Sequence, residues 1–279
     1  MSLGHTQSAR RSRVIAYRAG VRTVSTLSEQ VLAHVVDRVG WITLNRPEKR
    51  NAISDEMFAA LSALADEWGR DDEVRVVVVR GAGEQAFASG ADMGELDHST
   101  AGSPPSGARK GFTLQIPKPL IAMVHGFCIG GGLMVAMEAD LRIAADDAVF
   151  AIPAGPLGAG YPLLGVQRLV SLVGPSHAAS IMFTGDRFDA RRALELGLVN
   201  EVVPRAQLEE RVVALAGRIA ENAPLSLAAA KAVIEATIGT PGATFGDAQA
   251  LIDACWVSDD FREGRRAFTE KRRPEFRGR

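Results

Sequence analysis

The sequence predicts an α/β fold in which strand–strand–helix units stack into a coil of parallel strands, followed by an all-helical final third. Residues 74–79 are rich in valine, which is typical of a strand buried on both faces. A helical pattern precedes this run, and an intervening helix suits a parallel crossover. Pairs of short extended segments then recur along the chain, and after about residue 163 the pattern becomes helical throughout.

The first predicted elements are a hairpin and a helix. Residues 31–44 alternate or run apolar around a turn at 38–40, which predicts two antiparallel strands. Ser54 suits the N-cap of a helix. The apolar face of that helix carries Met57, Leu61, Leu64 and Trp68.

The next units consist of short strands and one helix. We expect an extended piece at 86–89, a strand at 119–125, a helix at 133–139 and a strand pair at 141–144 and 148–152. Helices are then predicted at 176–184, 189–196, 205–221, 225–238 and 244–257. Their amphipathic faces must cover the sheet or a neighbouring subunit.

These elements divide the chain into three parts. Residues 1–28 are predicted to be a flexible tail, 29–204 the core and 205–279 a helical region. The polar stretch 99–107 is predicted to be a surface loop beside the site.

Composition excludes several classes of function. The 279 residues are 47% hydrophobic, and 32 basic against 33 acidic residues give a net charge of −1. This balance does not favour nucleic acid or an anionic membrane as a partner, so an anionic ligand must be recognised locally. Cys128 and Cys255 lack metal-like spacing, and no metal site is expected. Without a spanning apolar stretch or a secretory signal, the expected location is cytoplasmic.

The run Gly130-Gly131-Gly132 lies where a predicted strand passes into a predicted helix. Backbone N–H groups at such a junction point outward as donors, which suits a developing oxyanion. Glycine lets a substrate carbonyl approach the backbone closely. Phosphate binding and tight packing are alternative roles for such a turn.

Three ordered motifs resemble the crotonase superfamily, the enoyl-CoA hydratase/isomerase family. They are NRPEKRNA at 45–52, FASGADM at 87–93 and HGFCIGGG at 125–132. The likeness extends over residues 31–276. It implies an α/β spiral of ββα units with a C-terminal helical trimerisation region. It also implies a homotrimer or a dimer of trimers.

The resemblance assigns the site residues. The backbone N–H groups of Ala91 and Gly131 match the family's two oxyanion-hole donors. Arg46 and Lys49 would lie near coenzyme A phosphates, and Phe268 would reach the adenosine with Lys271. The full set of implied substrate contacts is Arg46, Lys49, Ala52, Asp92, Met93, Met134, Ala154, Phe268 and Lys271. Coenzyme A belongs to the acyl-CoA substrate, and no separate cofactor is implied.

The sequence departs from the hydratase pattern at two positions. Hydratases of this family use two glutamates, and this chain has Met134 and Ala154 there, neither of which can titrate. The segment 150–161 resembles the methylmalonyl-CoA decarboxylase branch, whose site tyrosine matches Tyr161. This chain departs from that branch at Ala91, where the branch carries a histidine. Because both hydratase glutamates are missing and Tyr161 matches, we expect a lyase, with decarboxylation of a short malonyl-type thioester as the leading reaction.

Two alternatives stay open at this stage. Glu138 follows Met134 by four positions and could supply a hydratase or isomerase acid, or it could form an ion pair with Arg142 or Lys118. Loop groups at Glu95, Asp97 and His98 could also reach the pocket. The second alternative is a binding protein that carries long acyl-CoA without turnover.

Overall fold

The computed structural model describes residues 21–23, 28–92, 94 and 114–279. The described strands are β1 (Val21–Thr23), β2 (Val31–Val36), β3 (Val39–Leu44), β4 (Val76–Gly81), β5 (Ala86–Ala88), β6 (Leu120–Val124), β7 (Phe127–Ile129), β8 (Leu141–Ala145), β9 (Val149–Ala151), β10 (Phe188–Asp189) and β11 (Glu201–Val203). The described α-helices are α1 (Asp55–Arg70), α2 (Gly131–Met137), α3 (Leu163–Thr184), α4 (Ala190–Glu195), α5 (Leu208–Ala220), α6 (Pro224–Thr237), α7 (Phe245–Val257) and α8 (Asp259–Glu270).

The strands form two sheets. The larger has the order β1-β2-β3-β4-β6-β8-β11, and the smaller has the order β10-β9-β7-β5. Strands β1 to β3 are antiparallel, and from β3 to β11 the large sheet is parallel. The predicted hairpin is confirmed as β2 and β3, but its turn lies at Asp37 and Arg38, both at positive φ, and not at the predicted 38–40.

The two sheets explain why extended segments come in pairs. The first strand of each pair, β4, β6 or β8, joins the large sheet, whereas the second, β5, β7 or β9, joins the small one. Helices α2 and α3 follow the last two pairs. This arrangement confirms the predicted stack of strand–strand–helix units.

Strand β4 is buried on both faces, as its composition predicts. Val77 and Val79 face the main core, while Val76 and Val78 pack under α5. The helix α5 therefore covers the outer face of the large sheet. It lies within 205–279, so part of the predicted helical region packs on the sheet core.

Helix α1 also agrees with its prediction. The Ser54 hydroxyl caps it by accepting from the Met57 N–H at 3.1 Å. Trp68 is fully buried, and a Cβ added at Gly40 would lie 2.6 Å from its ring. The helix is thereby fixed against β3.

Differences from the prediction are concentrated in short or interrupted elements. Helix α3 starts at Leu163, thirteen residues before the predicted 176. Its first half is missing from the prediction because Gly174 (φ 76°) and Pro175, which interrupt the helix, resemble a helix end. Strands β7, β10 and β11 are not among the predicted strands, since runs of two or three residues carry little periodicity. Helix α8 was not predicted as a separate helix.

Three residues of the predicted tail, Val21–Thr23, pair with β2 as an edge strand. Within the described ranges, no helix is both long enough and apolar enough to cross a membrane.

Candidate active site

The first candidate donor, Ala91, lies in a segment held by a short ladder. Ile53 N–H donates to the Gly90 carbonyl at 2.7 Å, and Asp92 N–H donates to the Ile53 carbonyl at 2.9 Å. The peptide groups on either side of Ala91 thus pair with Ile53. The Ala91 N–H is left facing away from this ladder. We call residues 90–92 the Ala91 arm.

The second candidate donor, Gly131, starts α2. Gly130 N–H donates to the Ala151 carbonyl at 2.8 Å, and Gly130 has φ 51° and ψ −112°, which glycine tolerates far better than other residues. Gly131 is the first helical residue, so its N–H has no acceptor within the helix. We call residues 130–132 the Gly131 arm.

The two arms lie in contact. A Cβ added at Gly131 would lie 3.3 Å from the Ala91 nitrogen and 3.4 Å from the Gly90 carbonyl carbon. Neither the Ala91 N–H nor the Gly131 N–H donates to an acceptor within the described part of the chain. Two adjacent, unengaged backbone donors can together bind one oxygen atom.

The wall beside the arms is apolar. Met134 and Ala154, which the family resemblance aligns with the hydratase glutamates, are 5% and 8% exposed. Neither side chain can donate or remove a proton. Whatever reaction occurs between the arms must take its proton from elsewhere.

Tyr161 contacts the Gly131 arm directly. Its hydroxyl donates to the Gly130 carbonyl at 3.0 Å. The ring packs over Gly165, where an added Cβ would lie 2.7 Å from Tyr161 Cε1 and 3.5 Å from Met134 Sδ. Burial raises the pKa of the Tyr161 phenol, so it remains a neutral donor near neutral pH.

A cluster of charges holds the Ala91 arm. Arg46 Nη2 lies 2.7 Å from Asp92 Oδ2, and Lys49 Nζ lies 3.0 Å from the same oxygen. These two hydrogen bonds lower the pKa of Asp92 to about 2. Arg46 also donates to the Ala52 carbonyl at 2.9 Å.

The two basic residues that the resemblance implies for phosphate binding differ in how exposed they are in this cluster. The Arg46 side chain is 11% exposed and is satisfied within the protein, whereas the Lys49 side chain is 53% exposed. Lys49 is therefore the cation more available to a ligand. Sequence reasoning missed the Arg46–Asp92 pair. An acid immediately after the predicted donor was the available signal.

Glu138 lies beyond Met134 at the end of α2. Burial raises its pKa to about 7, although Arg168 and a hydrogen bond from the Leu114 backbone act in the opposite direction. A cavity of about 30 Å³ beside it is lined by Gln167 and Arg168 among others.

The expected ion pairs of Glu138 with Arg142 or Lys118 are wrong. Arg142 Nε donates to the Leu198 carbonyl at 2.7 Å, and Lys118 Nζ donates to the Asp71 carbonyl at 2.5 Å. Glu138 faces α3 instead, where Arg168 is its strongest electrostatic partner.

Other predicted residues lie elsewhere or outside the described ranges. Phe268 on α8 is 87% exposed, and Lys271 caps that helix at φ 53°. Cys128 is fully buried and its pKa is raised by burial, which agrees with a structural role. Met93, Glu95, Asp97, His98 and the stretch 99–107 lie outside the described residues.

Comparison with known proteins identifies the family of this chain. A family model described as enoyl-CoA hydratase/isomerase matches residues 35–279. The chain is 34% identical over 251 residues to the short-chain-enoyl-CoA hydratase of Clostridium acetobutylicum, covering 85% of this chain and 94% of that protein.

Comparison with solved structures identifies the same family. The enoyl-CoA hydratase of Mycobacterium tuberculosis H37Rv is 33% identical with a TM-score of 0.80, covering 90% of this chain and 100% of that one. An enoyl-CoA hydratase/carnithine racemase of Magnetospirillum magneticum is 31% identical with a TM-score of 0.80, covering 90% and 97%. These matches confirm the family and fold that the three motifs predict: the chain belongs to the enoyl-CoA hydratase/isomerase family, the crotonase superfamily.

Proposed function

We propose that this protein is an acyl-CoA lyase that stabilises a thioester enolate between the N–H groups of Ala91 and Gly131. The leading reaction is decarboxylation of a short malonyl-type thioester. The observation that carries the proposal is the contact between two arms whose N–H groups have no acceptor within the described residues. The apolar side chains of Met134 and Ala154 beside them support a reaction that needs no protein base.

Decarboxylation suits this wall because the substrate supplies its own electrons. The bond between the α-carbon and the carboxylate breaks, carbon dioxide leaves, and the electron pair forms the enolate. The charge on the former carbonyl oxygen is stabilised by the two N–H donors. A proton from water then reaches the α-carbon and gives the saturated thioester.

The remaining implied contacts bind the coenzyme A portion of the substrate. Lys49 is the exposed cation beside the Ala91 arm, and Asp92 keeps it there. Phe268 is exposed on α8, and Lys271 is exposed at the C-cap of that helix; both are proposed for the adenosine end. No separate cofactor enters this reaction.

A substrate panel tests the reaction class. Purified protein is incubated with methylmalonyl-CoA, crotonyl-CoA and a long saturated acyl-CoA. Release of carbon dioxide with formation of propionyl-CoA supports the proposal. A 3-hydroxyacyl product alone, or tight binding of the long acyl-CoA without any product, contradicts it.

A single-residue change tests the donor pair. Gly131→Ala keeps both N–H groups but places a methyl group 3.3 Å from the Ala91 nitrogen, where the oxyanion would enter. We expect turnover to fall at least about 100-fold, the typical effect of losing one such donor. Gly160→Ala is the matched control, because its Cβ meets nothing within 4 Å. Equal turnover in the two variants would exclude the Ala91–Gly131 pair from the chemistry.

Glu138 supports a second candidate, a hydratase or isomerase with a non-standard acid. Its pKa of about 7 suits proton transfer near neutral pH, and the curated relative from Clostridium acetobutylicum is named a hydratase. If protonated Glu138 acts as the acid, hydration of crotonyl-CoA falls as pH rises through about 7. Glu138→Gln would abolish that activity; a Gln variant with wild-type hydration removes this candidate.

We also propose assembly into a homotrimer or a dimer of trimers. Exposed apolar side chains on the C-terminal helices, including Trp256 and Val257 on α7, support burial against other copies. Light scattering measures the molar mass, and a monomer at micromolar concentration would contradict this assembly.

A further inference from the structure

One peptide group joins Tyr161 to the proposed chemistry. The carbonyl of Gly130 and the N–H of Gly131 belong to the same peptide bond. The carbonyl accepts from the Tyr161 hydroxyl at 3.0 Å and from the Met134 N–H at 3.0 Å. The N–H on the other side of that bond is the second proposed donor.

Such a connection has two physical effects. A hydrogen bond to a peptide carbonyl polarises the whole planar group, which strengthens its N–H as a donor. It also fixes the rotation of that peptide plane. Rotation matters here because Gly130 and Gly131 have no side chains to restrict it, and Gly130 already adopts φ 51°.

The packing of the ring makes this hydrogen bond specific. Gly165 leaves space for the Tyr161 ring, since a Cβ there would lie 2.7 Å from Cε1. Tyr161 directly precedes Pro162, the N-cap of α3, and Gly165 belongs to the first turn of that helix. The beginning of α3 is thus adapted to hold a phenol against the Gly130 carbonyl.

We propose that Tyr161 is a positioning residue that acts through the Gly130–Gly131 peptide, aiming and strengthening the Gly131 N–H without contacting the substrate carboxylate. Its only proton is already donated to Gly130. The inference rests on the proposed function, because it needs Gly131 to bind the thioester oxygen.

Infrared difference spectroscopy tests the inference without requiring turnover. The probe is butyryl-CoA with a ¹³C-labelled thioester carbonyl, which can neither decarboxylate nor accept water. Hydrogen bonds from the two donors lower its carbonyl stretching frequency on binding. In Tyr161→Phe, which keeps the ring, we expect a clearly smaller shift.

Kinetics provides the second readout. We expect turnover of Tyr161→Phe to fall about 10-fold, less than the loss of a whole donor, with KM changed by less than about 2-fold. Gly165→Ala keeps the hydroxyl but displaces the ring, and it should reduce both the shift and the turnover in the same direction. A reduced shift with this kcat-against-KM split supports the inference.

The outcomes separate this inference from the proposed function. No carbonyl shift in the wild-type protein overturns the proposed function itself. A wild-type shift that Tyr161→Phe reproduces in full overturns only the positioning role. A Tyr161→Phe variant whose main defect is a raised KM for methylmalonyl-CoA, with the butyryl-CoA shift intact, also overturns it, because the phenol would then contact the carboxylate.

Discussion

The two arms that meet at the candidate site are held by different forces. The Ala91 arm is held near the surface by a short ladder to Ile53 and by the charges of Arg46, Lys49 and Asp92. The Gly131 arm is held by packing and by neutral hydrogen bonds, including that from Tyr161. We therefore expect pH and salt to affect the Ala91 arm, and changes in side-chain volume to affect the Gly131 arm.

The forces follow from where each arm lies. Lys49 is half exposed, so its pairing is weakened by water and salt. Gly132 lies in the protein interior, which is close-packed and leaves no space for an added methyl group. The predictions below test each side separately.

The largest effect is expected in the Gly131 arm. A Cβ at Gly132 would lie 2.3 Å from the Ala88 carbonyl oxygen, which is backbone and cannot rotate away. Gly132→Ala should lower the free energy of unfolding by about 3 kcal/mol or more, measured by urea denaturation. Turnover should also fall, because β5 leads directly into the Ala91 arm and would be pushed away from α2.

Gly160→Ala is again the control, since its Cβ meets nothing within 4 Å. Its free energy of unfolding should stay within about 0.5 kcal/mol of the wild-type value. If Gly132→Ala is equally harmless, the packing description of the Gly131 arm is wrong.

A smaller effect with a distinct pH dependence is expected in the Ala91 arm. Asp92→Asn removes the carboxylate that Arg46 and Lys49 share, and it should cost about 2 kcal/mol of unfolding free energy at pH 7. The pKa of Asp92 is lowered to about 2 from its ordinary value of 3.8, so the stabilisation is complete above about pH 5. It is lost as pH falls towards 2.

Urea denaturation from pH 7 to pH 3 measures this dependence. The difference between wild type and Asp92→Asn should be constant down to about pH 5 and should narrow below about pH 4. Asp186→Asn removes the same charge at an exposed position and should cost less than about 0.5 kcal/mol. A difference that widens on acidification would contradict the ion-pair account.

The comparison also shows what sequence can and cannot predict. Local patterns predicted α1 from the cap at Ser54 and β4 from its valines, since caps and periodicity are properties of adjacent residues. The glycines of the Gly131 arm were predicted for the same reason. The first half of α3 was not, because Gly174 and Pro175 locally resemble a helix end.

Contacts between distant segments were beyond local patterns. Arg46 and Asp92 are 46 residues apart, and Tyr161 and Gly130 are 31 apart. Both pairs depend on how the elements cross in space, which no periodicity encodes. The family resemblance predicts that these residues share one site, but the hydrogen bonds among them follow only from the three-dimensional structure.

The smallest effect is expected at Lys49, where stability and ligand binding should separate. Its side chain is 53% exposed, so Lys49→Met should cost less than about 1 kcal/mol of unfolding free energy. If Lys49 binds a coenzyme A phosphate, KM for acyl-CoA should rise about 5-fold, with kcat nearly unchanged. That increase should shrink with added salt, since screening weakens the wild-type contact.

Arg191→Met is the control, because it removes one positive charge from an exposed pair on α4. It should leave KM unchanged at all salt concentrations. A KM increase that is the same for both variants would mean that net charge alone attracts the ligand. An unchanged KM for Lys49→Met would leave the charges of the Ala91 arm with a structural role only.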